Sequence, residues 1–247
     1  MKQYEAVIKT MEANGGYATL GFLNQEVFKV ANCEWKTRTP FASVRRIVQD
    51  ERYFFKIRPG LWALKSYKDR LPQDILPTTP QARKAQIEYN HSYYQGLLVE
   101  MGNLKKFDTF VPNQDKNKPF LGKKLCDIVT LTKVYSFCYD SILKRAGTVD
   151  VLWFNRRKMP SKIFEVEHTT DIQNSLLKFV DLQDFFVDFF IVADSKRKYE
   201  FENKLSYGAF VDIKSRTKFM SYNDLSELHT KTFQTISIES QYNLDSQ

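Results

Sequence analysis

Three carboxylates occupy places where a buried strand pair would ordinarily carry Val or Ile. Asp150 lies within Thr148-Val-Asp-Val-Leu-Trp-Phe154, and Glu165 and Glu167 lie within Lys162-Ile-Phe-Glu-Val-Glu-His-Thr169, with seven linking residues between the two runs. Burying such groups is costly unless a counter-charge accompanies them. Side chains alternate along a strand, so Glu165 and Glu167 share a face, and Asp150 joins them there if the runs pair as a hairpin. Three hard oxygen donors converging on one spot suit Mg²⁺ and the chemistry of phosphodiesters, where the phosphate charge must be neutralised and a water deprotonated. The plain alternative is that an acid faces solvent at a sheet edge, paired with Arg156, Arg157 or Lys158.

Elements must hold these acids in place, and the pattern around them supplies candidates. A helix is expected from Gln81 to about Met101, stopped by Gly102, with Ile87, Tyr94, Leu98 and Met101 along one side. Residues 103–124 read as irregular and polar, and 125–139 as an apolar segment. After the two acidic strands come a helix near 171–183 and an apolar strand at 185–193. Phe210 to Ile213 and Phe233 to Ile238 could add edge strands. On the helix after the acids, Lys178 shares a face with Asn174 and Asp181, so it either pairs with a neighbour such as Asp181 or approaches the acids as a cation. His168 points away from Glu167 along its strand and is expected to be structural or a phosphate contact from a turn.

Upstream, residues 4–13 form a helix pattern ended by Asn14-Gly15-Gly16, and a second candidate runs from about Leu20 to Val30. A third, over 40–51, has Thr39 as cap and Pro40 at its first position. Phe41, Val44, Ile47 and Val48 make its apolar face, and Ser43, Arg45, Arg46 and Gln49 lie opposite. Tyr53 to Ile57, a turn at Arg58-Pro-Gly60 and Leu61-Trp-Ala-Leu64 read as a β-hairpin. Residues 67–80, rich in Lys, Asp, Pro and Thr, read as a linker.

Three helices followed by a hairpin is the winged-helix order, and residues 1–66 resemble the HARE-HTH type of that fold through the aromatic strand and the Pro-Gly-Leu-Trp-Ala-Leu close. The resemblance implies a DNA reader in which the helix at 40–51 enters the major groove. Arg38, Ser43, Arg45, Arg46 and Gln49 would then contact DNA, and Lys56 and Arg58 on the wing would touch phosphate. Protein–protein contact is the other use of such a module.

The order helix, strand with Asp, strand with Glu-x-Glu, helix, strand resembles the core of the PD-(D/E)XK, or restriction-endonuclease-like, superfamily. That resemblance makes Asp150 the first Asp, Glu165 the (D/E), and Glu100 on the preceding helix an assisting acid. It implies one or two Mg²⁺ ions, with Mn²⁺ able to substitute, held by Asp150, Glu165, Glu167 and Glu100. Glu167 stands where the family carries lysine, a departure shared with some active type II restriction enzymes, and Lys178 becomes a substitute cation. The expected fold class is α/β: a winged helix (three helices plus β-hairpin) joined to a nuclease-like core with a mixed central sheet, over 1–66, 67–80 and 81–247. The expected activity is cutting of double-stranded DNA by a homodimer, sequence- or modification-specific. A DNA-binding regulator with an inactive nuclease fold, and a structure-specific or RNA nuclease, are the alternatives.

Composition narrows the classes. A chain of 247 residues with 43% hydrophobic and 15% aromatic content can bury a substantial core as one large domain or two small ones. No apolar run reaches the ~20 residues of a membrane span, and Met1-Lys-Gln-Tyr-Glu does not open like a signal peptide, so a cytoplasmic location is expected. Three cysteines (Cys33, Cys126, Cys138) without a CxxC pair suggest neither a disulfide framework nor a zinc site. Only His91, His168 and His229 are available, no two at helical ligand spacing, so histidine-based schemes gain little support. Net charge is +8, and Lys36 to Arg70 alone carries ten Lys/Arg against three acids. A solvated face would explain that run, but its coincidence with a small-domain pattern favours an anionic partner.

Overall fold

The computed structural model describes residues 1–241. Packing divides the chain into two units, one of Met1–Arg83 together with the chain from Ser226 onward, the other of Lys84–Leu225. The expected division near residue 80 placed all that follows in the second part, whereas the structure groups the C-terminal helix with the first. Among the described residues, no helix is long and apolar enough to cross a membrane.

In the first unit, α1 (Gln3–Ala13), β1 (Tyr17–Thr19), α2 (Leu20–Glu26), α3 (Pro40–Val48), β2 (Phe54–Arg58) and β3 (Leu61–Leu64) follow in order. The strands form an antiparallel sheet ordered β1-β3-β2. The sequence reading missed β1, whose three residues are too few for alternation to register. Gly16 adopts φ +90°, and a Cβ there would fall 2.3 Å from the Tyr67 ring, so Gly is required at the end of α1. Thr19 caps α2 by accepting from the Phe22 N–H at 3.1 Å. On α3, Pro40 occupies the first turn, Val44 and Val48 are buried against Ala6, Val7 and Met11 of α1, and Phe54 and Leu64 close the core. The expected cap is absent: the Thr39 side chain makes no capping bond.

The second unit begins in α4 (Pro80–Lys84) and continues through α5 (Gln86–Leu104), β4 (Asp108–Phe110), the small hairpin β5 (Pro119–Phe120) and β6 (Lys123–Lys124), and α6 (Asp140–Ala146). Then come β7 (Val151–Phe154), β8 (Pro160–Glu167), α7 (Ile172–Val180), β9 (Asp188–Ala193), α8 (Lys198–Leu205), β10 (Thr217–Ser221) and the start of α9 (Tyr222–Gln241). Five strands make a mixed sheet ordered β10-β9-β8-β7-β4, with β10, β9 and β8 mutually parallel and β8-β7-β4 antiparallel. The sheet is mixed, as expected. Leu152, Phe154, Ile163, Phe189 and Ile191 point to one face and pack with Ile172, Leu176 and Phe179 of α7. On the other face Phe164 stacks on Phe190 and meets Trp153 at a tilt, and α5 packs so closely that a Cβ on Gly102 would lie 2.8 Å from Trp153 Nε1.

Two expected edge strands are not strands. Phe210 lies in a 3₁₀ turn over Gly208–Phe210, and Phe233 to Ile238 lie inside α9. The alternation Thr-Ile-Ser-Ile suggested β structure, but Ser226, Thr230 and Phe233 are buried at helical spacing, and that burial decides. The edge is instead β10. The apolar segment 125–139 contributes a 3₁₀ turn (Leu125–Asp127) and loop residues.

Candidate active site and nucleic-acid interface

Strand register brings the acids together. Val151 pairs with Phe164, so Asp150, one step before β7, stands opposite Glu165 on the face that also carries Glu167. There β7 has not yet begun, leaving the Val166 N–H without a partner on that strand, and Asp150 Oδ2 accepts from it at 2.7 Å. Asp150, Glu165 and Glu167 are all buried.

Each carboxylate has its own attendants. Lys178 Nζ donates to Glu165 Oε2 at 2.8 Å and Oε1 at 3.0 Å, and to the Thr148 carbonyl at 3.1 Å. Lys178 therefore does not pair with Asp181, which binds Arg145 at 2.6 Å. Ser175 Oγ, one turn earlier on α7, donates to Glu167 and lies 3.3 Å from Glu165 Oε2, and Thr170 Oγ1 donates to the other oxygen of Glu167. Burial first, then repulsion from Asp150 and Glu167, holds the Glu165 carboxyl well above the usual range even with Lys178 opposing it. Burial also raises Glu167, against the hydroxyls of Ser175 and Thr170.

The opposite side of Asp150 holds residues the sequence reading set aside. His91 Nε2 lies 3.5 Å from Asp150 Oδ1 and 3.8 Å from Asp115 Oδ2. Gln95, one turn along α5, donates to Asp115 Oδ2 at 2.7 Å and to the Asp150 carbonyl at 3.1 Å, and Lys118 Nζ binds Asp115 Oδ1 at 2.8 Å. Burial alone would lower the His91 imidazole, but its hydrogen bonds to Asp115 and Asp150 outweigh that and raise it to about 10. Burial likewise works to raise Asp115, and bonds from His91, Lys118 and Gln95 bring it to about 2. Among the described residues, His91, Asp115 and Asp150 form a group able to hold a metal ion. His91 thus stands beside two acids, although the sequence offered histidine schemes little support. Its partners come from separate segments, so no local spacing announced them; the available signal was that His91 and Gln95, four apart, share one face of α5. Glu100 is not in that group. It lies nine residues beyond His91 on α5, about 13 Å along the axis.

His168 lies on the α5 side, as its alternation with Glu167 requires. Its Nδ1 is 2.7 Å from the Tyr222 hydroxyl, which donates to the Glu167 carbonyl at 2.9 Å, so the imidazole fixes the end of β8. Burial, then repulsion from His91, lowers it to about 4. Tyr222 in turn stacks on Tyr94 of α5 with centroids 3.8 Å apart.

In the first unit, Arg38, Arg45, Arg46, Gln49 and Lys56 are exposed, and Ser43 is half-buried with its hydroxyl donating to the Thr39 carbonyl at 3.3 Å. Arg58 is committed elsewhere: its Nη2 donates to the carbonyls of Asp74 at 3.1 Å and Ile75 at 2.8 Å, tying the segment after the hairpin to the turn. That engagement leaves Lys56 as the freer cation of the hairpin.

Comparison with known proteins places this arrangement. The family profile described as the C-terminal domain of the type II restriction enzyme NmeDI matches residues 71–243. The type II restriction enzyme NmeDI of Neisseria meningitidis serogroup C is 22% identical over 166 residues, covering 63% of this chain and 46% of that enzyme. The chain thus spans about half the length of that relative. No solved structure matches. Because the matched family spans more than half of the chain, including every residue of the carboxylate site, the chain belongs to the family of the NmeDI-type restriction enzyme C-terminal domain.

Proposed function

We propose that the chain is a metal-dependent endonuclease of the type II restriction kind, hydrolysing phosphodiester bonds in double-stranded DNA. The observation that carries this reading is the convergence of Asp150, Glu165 and Glu167 at one end of a mixed sheet, with Lys178 seated on Glu165. The family match and the name of the relative support it. The strand order and flanking helices support reading the core as PD-(D/E)XK-like.

The donor set fits Mg²⁺. Its members are hard carboxylate oxygens, and Glu165 stays under-compensated with Lys178 beside it, which a further cation would relieve. Asp150, Glu165 and Glu167 would hold one or two such ions, with Mn²⁺ able to substitute. When bound, the ion supplies charge neutralisation at phosphate and a more acidic water. The protein's own groups do the rest. The Val166 N–H fixes Asp150, Ser175 and Thr170 orient Glu167, and Lys178 delivers positive charge to the position beside Glu165. Glu167, on the lysine position of the family pattern, would accept a proton from the attacking water.

Three helices, the β1-β3-β2 sheet and the exposed Arg45, Arg46 and Gln49 support a winged-helix reader in the first unit, docking α3 in the major groove with Arg38 and Lys56 toward phosphate. Palindromic DNA would favour a homodimer, and a cytoplasmic setting follows from such a role. The experiment is cleavage of unmodified and cytosine-modified plasmid DNA with Mg²⁺ and with chelator. Asp150→Ala and Glu165→Ala should each abolish cutting and leave duplex binding largely intact. Full cutting by either variant would overturn the site.

A further inference from the structure

We propose that His91, Asp115 and Asp150 form a second divalent-cation site, preferring a transition ion of the Mn²⁺, Co²⁺ or Ni²⁺ class over Mg²⁺, that shares Asp150 with the carboxylate site. The claim stands on donor geometry and draws on the nuclease reading only for what Asp150 does on its other side. Donors about 2.1 Å from one ion are roughly 3.0 to 3.4 Å apart at octahedral-cis or tetrahedral angles. His91 Nε2 is 3.5 Å from Asp150 Oδ1 and 3.8 Å from Asp115 Oδ2, a few tenths of an ångström outside that range. All three ligand atoms lie within 4.8 Å of one another. Side-chain adjustments that draw the three atoms together would close the set.

The surroundings have the layout of a supported site. Metal ligands are ordinarily held by outer hydrogen bonds that set their orientation. Here Asp150 is held through Oδ2 by the Val166 N–H, leaving Oδ1 toward His91. Asp115 is held by Lys118 and Gln95. Gln95 adds a separate observation: it is 0% exposed, its amide nitrogen touches both Asp115 and the Asp150 carbonyl, and its Oε1 is buried without a hydrogen-bond partner. An unpartnered buried carbonyl oxygen is costly, and here that cost is borne by the amide that braces both acids. Donor type gives the preference. Imidazole suits first-row transition ions, and Mg²⁺ favours all-oxygen shells with retained waters.

The test uses the full chain and Co²⁺ as probe, read by its visible d–d absorption and by calorimetry. The wild type should develop a nitrogen-coordinated Co²⁺ band that a tenfold excess of Mg²⁺ does not remove. His91→Ala should weaken that binding at least tenfold and alter the band, Asp115→Asn should weaken it similarly, and Glu165→Gln should leave it in place. Circular dichroism establishes that each variant is folded; if His91→Ala is not, Asp115→Asn and His91→Gln decide. Unchanged Co²⁺ affinity and spectrum in the folded His91 and Asp115 variants, or ready displacement by Mg²⁺, would overturn the proposal. A chain that cuts no DNA yet shows the His91-dependent band would leave this site standing and overturn the nuclease reading alone.

Discussion

Replacing Lys178 by Met keeps an unbranched apolar stem on α7 and removes the ammonium beside Glu165, together with its bond to the Thr148 carbonyl. The two groups are 2.8 Å apart, which at an effective dielectric of ~20 corresponds to a gross attraction of about 6 kcal/mol. Most of that is offset by desolvation in the wild type, because Glu165 is 2% exposed and Lys178 24%. Without Lys178, Glu165 faces Asp150 and Glu167 uncompensated and takes up a proton instead. Protonating a carboxyl of ordinary pKa 4.5 at pH 7.5 costs about 4 kcal/mol, at ~1.4 kcal/mol per unit, which caps the loss. The folded-state pKa lies above the unfolded one, so the penalty grows as pH rises past 4.5 and fades below it. Because burial and the neighbouring acids already raise Glu165 in the wild type, part of that cost is present there, and Lys178→Met should lose up to about 4 kcal/mol at pH 7.5 and distinctly less, under ~1 kcal/mol from this source, at pH 5. Adding Glu165→Gln should restore most of the loss. Urea unfolding followed by Trp153, with Trp35 and Trp62 replaced by Phe, reads the unit that holds the site. A loss equal at both pH values, or a double variant no more stable than Lys178→Met, would refute the coupling.

Two further outcomes follow from other parts of the chain. Arg38→Ala with Lys56→Ala should weaken duplex binding across sequences and lower the slope of log affinity against log salt by about 2, near 0.9 per lost phosphate contact; an unchanged slope measured by fluorescence anisotropy would place DNA elsewhere. The raised His91 pKa of about 10 gives stability that is fully present below the unfolded value near 6.5 and drains as pH rises toward 10. His91→Gln should flatten the fall in unfolding free energy across that window, and parallel wild-type and variant curves would sink the assignment.

The carboxylate strands were legible because their signal is local. Alternation in β8 fixes the faces of Glu165 and Glu167 whatever the partner strand, and the short link to β7 makes the hairpin register that brings Asp150 opposite Glu165. The α3 pattern was readable for the same reason, its Val44 and Val48 being buried as their spacing requires. The His91 cluster was not readable, since its three members come from the start of α5, the turn after β4 and the residue before β7, and only the folded sheet brings them together. Glu100 was favoured because an acid on that helix fits a family pattern. The contacts that α5 makes where β7 begins and β8 ends come from His91 and Gln95, and Glu100 lies further along that helix.

The lysine position shows how far linear spacing can be trusted. A motif written as acid-x-lysine describes two side chains on one strand face, yet what a phosphate would meet is charge at a point, and any neighbouring element can supply it. In this chain the strand brings Glu167 to that face, and α7, packed across the same face through Ile172, Leu176 and Phe179, brings Lys178 to Glu165. Ser175, one turn earlier, reaches both glutamates, so the helix that carries the cation also orients the carboxylates. On the nuclease reading proposed above, a glutamate at the lysine position leaves the site its positive charge, brought by α7 instead of β8. The packing of α7 then sets where that charge stands, because Lys178 and Ser175 both reach the carboxylates of β8 from it.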